Sequence, residues 1–157
     1  MNQQSAKQRT AIVGIGNLLR SDDAAGILVA RGLMNSQSLL DSNIVLVIDA
    51  GQAPENRTAD LRRFAPKVIL LIDAAEIGEM PGTIHWIEVD ELEGMSASTH
   101  TLPLSIAQYL TLELNCKIAL LGIQPKSNDI RETISPEVSE AVHALTEDLI
   151  RIFSGKY

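Results

Sequence analysis

Unbroken runs of aliphatic residues recur along the chain and predict strands that are buried on both faces. Such strands contain hardly any polar positions, whereas a strand with one face in water alternates apolar and polar residues. Four segments have this pattern: Thr10–Ile15, Ile44–Ala50, Lys67–Ala74 and Lys117–Ile123. A fifth segment, Thr83–Val89, alternates better and places Ile84 and Trp86 on one face, which predicts an edge strand that can run antiparallel to its neighbour.

The segments between these strands have the residue spacing of amphipathic helices. One helix is predicted from about Asp22 to Met34, and another begins at Pro103, because proline is favoured in a first helical turn. The buried side of this second helix comprises Leu104, Ala107, Leu110 and Leu114. Ser135 and Pro136 predict the N-cap and first residue of a last helix, whose apolar face comprises Val138, Ala141, Val142, Leu145, Leu149, Ile152 and Phe153. Strands that alternate with helices predict an α/β fold, an α/β/α sandwich around a mostly parallel sheet.

Length and charge narrow the class of protein. The chain has 157 residues, of which 45% are apolar, and we expect residues 1–157 to form a single domain around one core. Thirteen basic against twenty acidic residues give a net charge of −7, which argues against a partner bound through a nucleic-acid backbone. The apolar runs are far shorter than the roughly 20 residues of a membrane span, and the polar segment Met1–Thr10 lacks the apolar stretch of a secretory signal. These features predict a cytoplasmic protein without membrane insertion.

Cys116 is the single cysteine of the chain, so it can form neither an internal disulfide nor a thiolate zinc site. It opens an apolar run and is predicted to be a small core residue rather than a nucleophile. No long apolar helix face is left over after the core is assigned, which predicts a monomer.

Acidic residues gather where the predicted strands end. Asp49 and Asp73 close the second and third strands, and Asp22 and Asp23 follow the loop after the first. Ligands of open α/β sheets bind outside the carboxyl ends of the strands, so these acids are candidate site residues. Acids in a first helical turn also stabilise the helix dipole, and we assign that role to one member of the Asp22–Asp23 pair.

His100 lies in a predicted loop, Gly94–Thr101, directly before the helix that begins at Pro103. Two carboxylates and an imidazole at one sheet edge provide oxygen and nitrogen ligands for a divalent ion such as zinc, nickel, manganese or iron. A histidine in a polar loop is more often a surface residue, so this metal site is a hypothesis. His85 and His143 fall inside a strand and a helix and are predicted to be structural.

Two other classes of protein share part of this pattern. Gly14 and Gly16 begin a dinucleotide-binding motif, but Leu19 stands where its third glycine is needed. An acidic pair at the start of the next helix would also repel a pyrophosphate. A receiver-like phosphoacceptor domain would use Asp22, Asp23, Asp73 and Lys126. Against it, the acidic pair follows a loop rather than a strand tip, and His100 would have no role.

Six short stretches, taken in order, resemble the hydrogenase maturation endopeptidases, in particular the type serving formate-hydrogenlyase (hydrogenase 3) complexes. They are GIGN at 14–17, SDD at 21–23 with Gly26, DAGQAPEN at 49–56, IDAAEIG at 72–78 with Pro81 and Gly82, THTLPL at 99–104 and LGIQP at 121–125. Each stretch is weak by itself, but the combination and its order are specific. The resemblance implies a five-stranded twisted sheet sandwiched by helices, in agreement with the pattern of apolar runs.

The resemblance also implies an activity and the residues that perform it. Members of this family hydrolyse one peptide bond near the C-terminus of the [NiFe]-hydrogenase large-subunit precursor, after nickel has been inserted. By motif position, the metal-binding and catalytic residues are Asp23, Asp73 and His100. Asp22 is not one of the ligands, and neither is Glu76, which stands where an aspartate is usual in the family.

Two mechanisms are compatible with these residues. In the first, the enzyme holds a divalent metal that activates water and polarises the scissile carbonyl. In the second, which we favour, the residues engage the nickel carried by the precursor tail, so that only loaded precursor is positioned for cleavage. The second mechanism explains why three residues without an obvious general base among them can be sufficient. A non-catalytic chaperone that only binds the precursor is a further alternative.

Overall fold

The computed structural model describes residues 8–88, 104–130 and 133–155, and its strands form one five-stranded sheet. The strands are β1 (Thr10–Ile15), β2 (Val45–Gly51), β3 (Val68–Ala74), β4 (Ile84–Glu88) and β5 (Lys117–Ile123). Their order across the sheet is β2-β1-β3-β5-β4, and every neighbouring pair is parallel except β4 with β5, which is antiparallel. The predicted strands are therefore confirmed, including the antiparallel strand at the edge.

The described residues also form five helices, four between strands and one after β5. They are α1 (Ala25–Met34), α2 (Gln37–Leu40), α3 (Thr58–Phe64), α4 (Leu104–Leu114) and α5 (Pro136–Ser154), with 3₁₀ turns at Ser21–Ala24 and Pro54–Arg57. The helix predicted from Asp22 thus begins with a 3₁₀ turn. Pro103 and Val89 lie outside the described residues. The sequence patterns did not indicate α2 and α3, because both are too short to show a repeated apolar spacing.

The core consists of two apolar layers, one on each face of the sheet. On the first face, Ile12 and Leu70 belong to a cluster with side chains of α1 and α5. Alternate residues of the same strands, such as Val13 and Leu71, pack on the second face with residues of α3 and α4. Burial of both faces explains why the strands read as unbroken aliphatic runs. The predicted three-layer α/β/α sandwich is confirmed.

Helix α5 covers the first face with the side chains predicted from its spacing. Val138, Ala141, Leu145, Leu149 and Phe153 are buried there. None of the helices among the described residues is long and apolar enough to cross a membrane.

Candidate active site

The candidate site lies at the carboxyl ends of β1 and β3, the topological switch point of the sheet. The chain leaves β1 toward β2 on one side and leaves β3 toward β5 and β4 on the other. A crevice at such a switch point is the usual ligand site of an open α/β sheet. Asp73 is the last residue but one of β3, and the 3₁₀ turn that carries Asp22 and Asp23 lies against the end of the same strand.

Three glycines allow this turn to approach the strand ends. A Cβ added to Gly14 would lie 2.3 Å from the carbonyl oxygen of Gly26, so β1 and α1 are in backbone contact at this point. Gly16 has a φ of +154°, which other residues rarely adopt, and its added Cβ would lie 2.0 Å from the carbonyl oxygen of Asp23. The glycines that resemble a dinucleotide motif thus serve to bring Asp23 close to the sheet.

Gly26→Ala is expected to destabilise the protein by about 1–3 kcal/mol or more, because the added Cβ meets backbone that cannot turn away. It would lie 2.1 Å from the carbonyl oxygen of Ile72 and 2.4 Å from that of Ile15. Urea unfolding measures the loss. The control is Gly32→Ala in the same helix, whose Cβ would meet the Thr146 side chain at 2.8 Å and whose loss should be smaller. Equal midpoints for wild type and Gly26→Ala would contradict the close approach.

The carboxylate of Asp22 is fully buried and binds the loop that follows β5. Its Oδ2 accepts hydrogen bonds from the backbone N–H of Lys126 at 2.8 Å and of Ser127 at 3.0 Å. Its Oδ1 accepts from the backbone N–H of Ser135 at 2.7 Å, and the Ser135 hydroxyl donates to both oxygens at 2.9 Å. Both ends of the connection between β5 and α5 are therefore attached to one side chain.

These contacts give Asp22 a structural role. Burial raises the pKa of its carboxyl, but the donors at Ser135, Ser127 and Lys126 outweigh burial and keep the pKa below its ordinary value. Ser135 has the extended backbone of an N-cap, as predicted, yet its hydroxyl binds Asp22 rather than capping α5. The negative charge of Asp22 consequently lies at the N-terminus of α5, where it stabilises that helix dipole.

Asp23 and Asp73 form the acidic pair of the candidate site. Both side chains are buried, with exposed fractions of 9% and 3%. Burial raises the pKa of Asp73 well above its ordinary value, and the negative charge of Asp23 raises it further. Two carboxylates that repel each other in a buried position form a favourable site for a cation, since their oxygens are ligands for divalent metals.

The third predicted ligand, His100, lies outside the described residues. Within the described ranges 8–88, 104–130 and 133–155, no cluster of three or more His, Cys, Asp or Glu side chains has the arrangement of a metal site. The described part of the candidate site therefore consists of Asp23 and Asp73. The metal-binding roles of all three residues stay predictions.

Gln124 belongs to the LGIQP stretch at 121–125, but the motif does not indicate what this residue does. Its side chain is buried at the carboxyl end of β5, where Oε1 accepts the backbone N–H of Ile77 at 2.8 Å and of Glu79 at 3.3 Å. Its Nε2 donates to the Glu76 carboxylate at 2.9 Å. Gln124 thus fixes the loop that follows Asp73. A buried strand followed by an amide residue is the signal that could have suggested this role.

The remaining candidate residues have positions outside the acidic pair. The Lys126 ammonium pairs with Glu137 at 3.0 Å, and this pairing together with the antiparallel β4 disfavours the receiver-like alternative.

Cys116 is buried, and burial raises the pKa of its thiol, in agreement with its prediction as a core residue. His85 and His143 are exposed, beside Glu79 and Glu147 respectively. Asp49 pairs with Arg31 at 2.9 Å.

The fold and site define a class: an open-sheet α/β protein with a carboxylate centre at its switch point. The family model described as HycI, hydrogenase maturation protease, matches residues 28–152. The hydrogenase 3 maturation protease of Escherichia coli K12 is 32% identical over 136 residues, covering 86% of this chain and 85% of the relative. A Methanocaldococcus jannaschii protein assigned to the hydrogenase maturation proteases is 39% identical over 150 residues, covering 92% and 88%.

Solved structures agree with the sequence relatives. The crystal structure of a [NiFe] hydrogenase maturation protease from Thermococcus kodakarensis KOD1 superposes with a TM-score of 0.85 at 30% identity, covering 96% of this chain and 97% of that one. The chain belongs to the hydrogenase maturation protease family. It is accordingly a peptidase, as the resemblance in its motifs implied.

Proposed function

We propose that this protein removes the C-terminal extension of a [NiFe]-hydrogenase large-subunit precursor after nickel insertion, and that Asp23, Asp73 and His100 contact the metal. One observation carries the proposal. Asp73 is 97% buried beside the charge of Asp23, at the ligand-binding edge of a peptidase fold. A buried pair of carboxylates at this edge suits a cation that the substrate delivers, since carboxylate oxygens are ligands for divalent metals.

The nickel of the precursor is part of the substrate in this proposal. The carboxylates of Asp23 and Asp73 hold it at the end of β3, and the close backbone contacts at Gly16 and Gly26 fix how near the turn that carries Asp23 lies to the sheet. The peptide bond to be cut is then placed by its connection to the metal centre. Precursor without nickel lacks this contact, so metal loading becomes a condition for cleavage.

The rival mechanism assigns the metal to the enzyme. A bound divalent ion would activate a water molecule and polarise the scissile carbonyl, and Asp23, Asp73 and His100 would hold it there. The same donor set suits both mechanisms, because carboxylate and imidazole ligands accept nickel as well as zinc, manganese or iron. The two mechanisms differ in which partner must bring the metal.

The experiment mixes chelator-treated enzyme with nickel-loaded or nickel-free precursor and measures the mass of the precursor by mass spectrometry. We expect a loss of the C-terminal extension with loaded precursor only. Activity that disappears on chelation and returns with zinc alone would instead establish an enzyme-bound metal. No mass loss with either precursor would identify a chaperone, and phosphorylation of Asp73 by acetyl phosphate with magnesium would identify a receiver.

A further inference from the structure

Exposed aliphatic side chains occur on three of the loops that leave the acidic edge of the sheet. They are Leu18 and Leu19 after β1, Met80 between β3 and β4, and Ile130 between β5 and α5. Leu19, Met80 and Ile130 are 69%, 78% and 60% exposed. We call these four side chains the apolar rim. A contact site for another polypeptide commonly exposes apolar side chains beside the polar centre that it serves.

Hydrogen bonds hold the first part of the apolar rim in place. The Asn17 side chain accepts the backbone N–H of Leu19 at 2.9 Å, and the carbonyl oxygen of Asn17 accepts that of Arg20 at 3.2 Å. The backbone N–H of Asn17 donates to the carbonyl oxygen of Asp23 at 3.1 Å. The turn that presents Leu18 and Leu19 is thus attached to Asp23, one residue of the acidic pair.

The other two loops are attached to the same edge. Gln124 binds the backbone of Ile77 and Glu79, and Met80 follows directly. Asp22 binds Ser127 and Ser135, so both sides of the loop that presents Ile130 are fixed. Backbone that is already held by hydrogen bonds loses less conformational entropy when a partner binds, which favours binding through exposed side chains next to such attachments.

We propose that the apolar rim binds apolar side chains of the precursor polypeptide on either side of the scissile bond. This inference rests on the proposed function, because the loops that present the rim leave the sheet at the same edge as Asp23 and Asp73. A second copy of this chain is a poor occupant. It would bring two acidic edges together in molecules that each have a net charge of −7.

The test compares Leu19→Ser and Ile130→Ser with the control Leu40→Ser. Leu40 is 55% exposed on α2, which precedes β2 and therefore lies toward the opposite edge of the sheet. Dissociation constants for nickel-free precursor are measured by calorimetry, and KM and kcat are measured with loaded precursor. We expect each rim variant to raise the dissociation constant and KM about tenfold and to leave kcat within about twofold. The control is expected to resemble the wild type.

The measurements of binding and of cleavage test this inference and the proposed function separately. Rim-dependent binding without any cleavage would overturn the endopeptidase proposal and retain the rim. Cleavage with unchanged dissociation constants in both rim variants would overturn the rim and retain the endopeptidase. Absence of measurable binding by the wild type, or a dimer of the wild type that Leu19→Ser dissociates in sedimentation, would also overturn the rim as a precursor site.

Discussion

Asp73→Asn is expected to lower the rate of precursor processing by roughly 10²–10³-fold, the size of effect seen when one electrostatic contact of an active site is removed. The amide keeps the shape of the side chain but removes its negative charge, which the proposed contact with the metal requires. The fold should not lose stability. Burial and the charge of Asp23 both raise the pKa of Asp73, so the charged carboxylate opposes folding and its removal relieves this cost.

Processing by Asp73→Asn is measured from the mass of loaded precursor over time, and its stability from thermal unfolding of the metal-free protein. The matched control is Asp148→Asn, which removes an exposed aspartate of α5 paired with Arg151 at 3.3 Å. The control should process precursor at the wild-type rate. Wild-type processing by Asp73→Asn would show that the site is assigned wrongly, and a clearly lower melting temperature would show that Asp73 is structural.

The strands were predictable because their burial leaves a direct trace in the sequence. A strand covered on both faces has no solvent-facing positions, so β1, β3 and β5 stand out as aliphatic runs. The alternating segment at β4 correctly indicated an edge strand. Short helices leave no such trace. Helix α3 follows a loop segment that contains Gly51, Pro54 and Asn56, and its single fully buried side chain, Leu61, cannot establish a period.

The candidate site was predictable only where the role of a residue follows from its neighbours in the sequence. Asp73 could be recognised because it follows the aliphatic run of a buried strand, where a charged side chain either caps a turn or faces a site. The different roles of Asp22 and Asp23 could not be separated by local pattern, because the donors to Asp22 come from Lys126, Ser127 and Ser135, more than a hundred residues later. The motif resemblance selected Asp23 as the ligand, and the contacts of Asp22 now supply a physical reason for leaving that residue out.

Asp22→Asn is expected to lower the free energy of unfolding by about 3–5 kcal/mol, the cost of removing one partner from a buried charged network. Asparagine retains one acceptor oxygen but turns an NH₂ group toward the N–H groups that Asp22 now binds. For a chain of this size, the melting temperature should fall by about 6–20 °C. The connection between β5 and α5 loses its attachment, so processing should weaken together with stability.

Thermal and urea unfolding measure this loss, with Ser135→Ala as the matched control. That variant removes one hydroxyl donor and leaves the three backbone donors, so its free energy of unfolding should fall by only about 1 kcal/mol.

The stability that Asp22 provides should also depend on pH. The pKa of Asp22 is lowered in the folded state, so this stability is present above the pKa of an unfolded aspartate and disappears as the pH falls through the lower folded value. The difference between wild type and Asp22→Asn should therefore narrow below about pH 4. A variant as stable as the wild type at neutral pH would refute the structural role of Asp22. Opposite stability effects at Asp22 and Asp73 would instead show that one edge of the sheet holds two buried acids for different reasons, one to fix the loops and one to meet a cation.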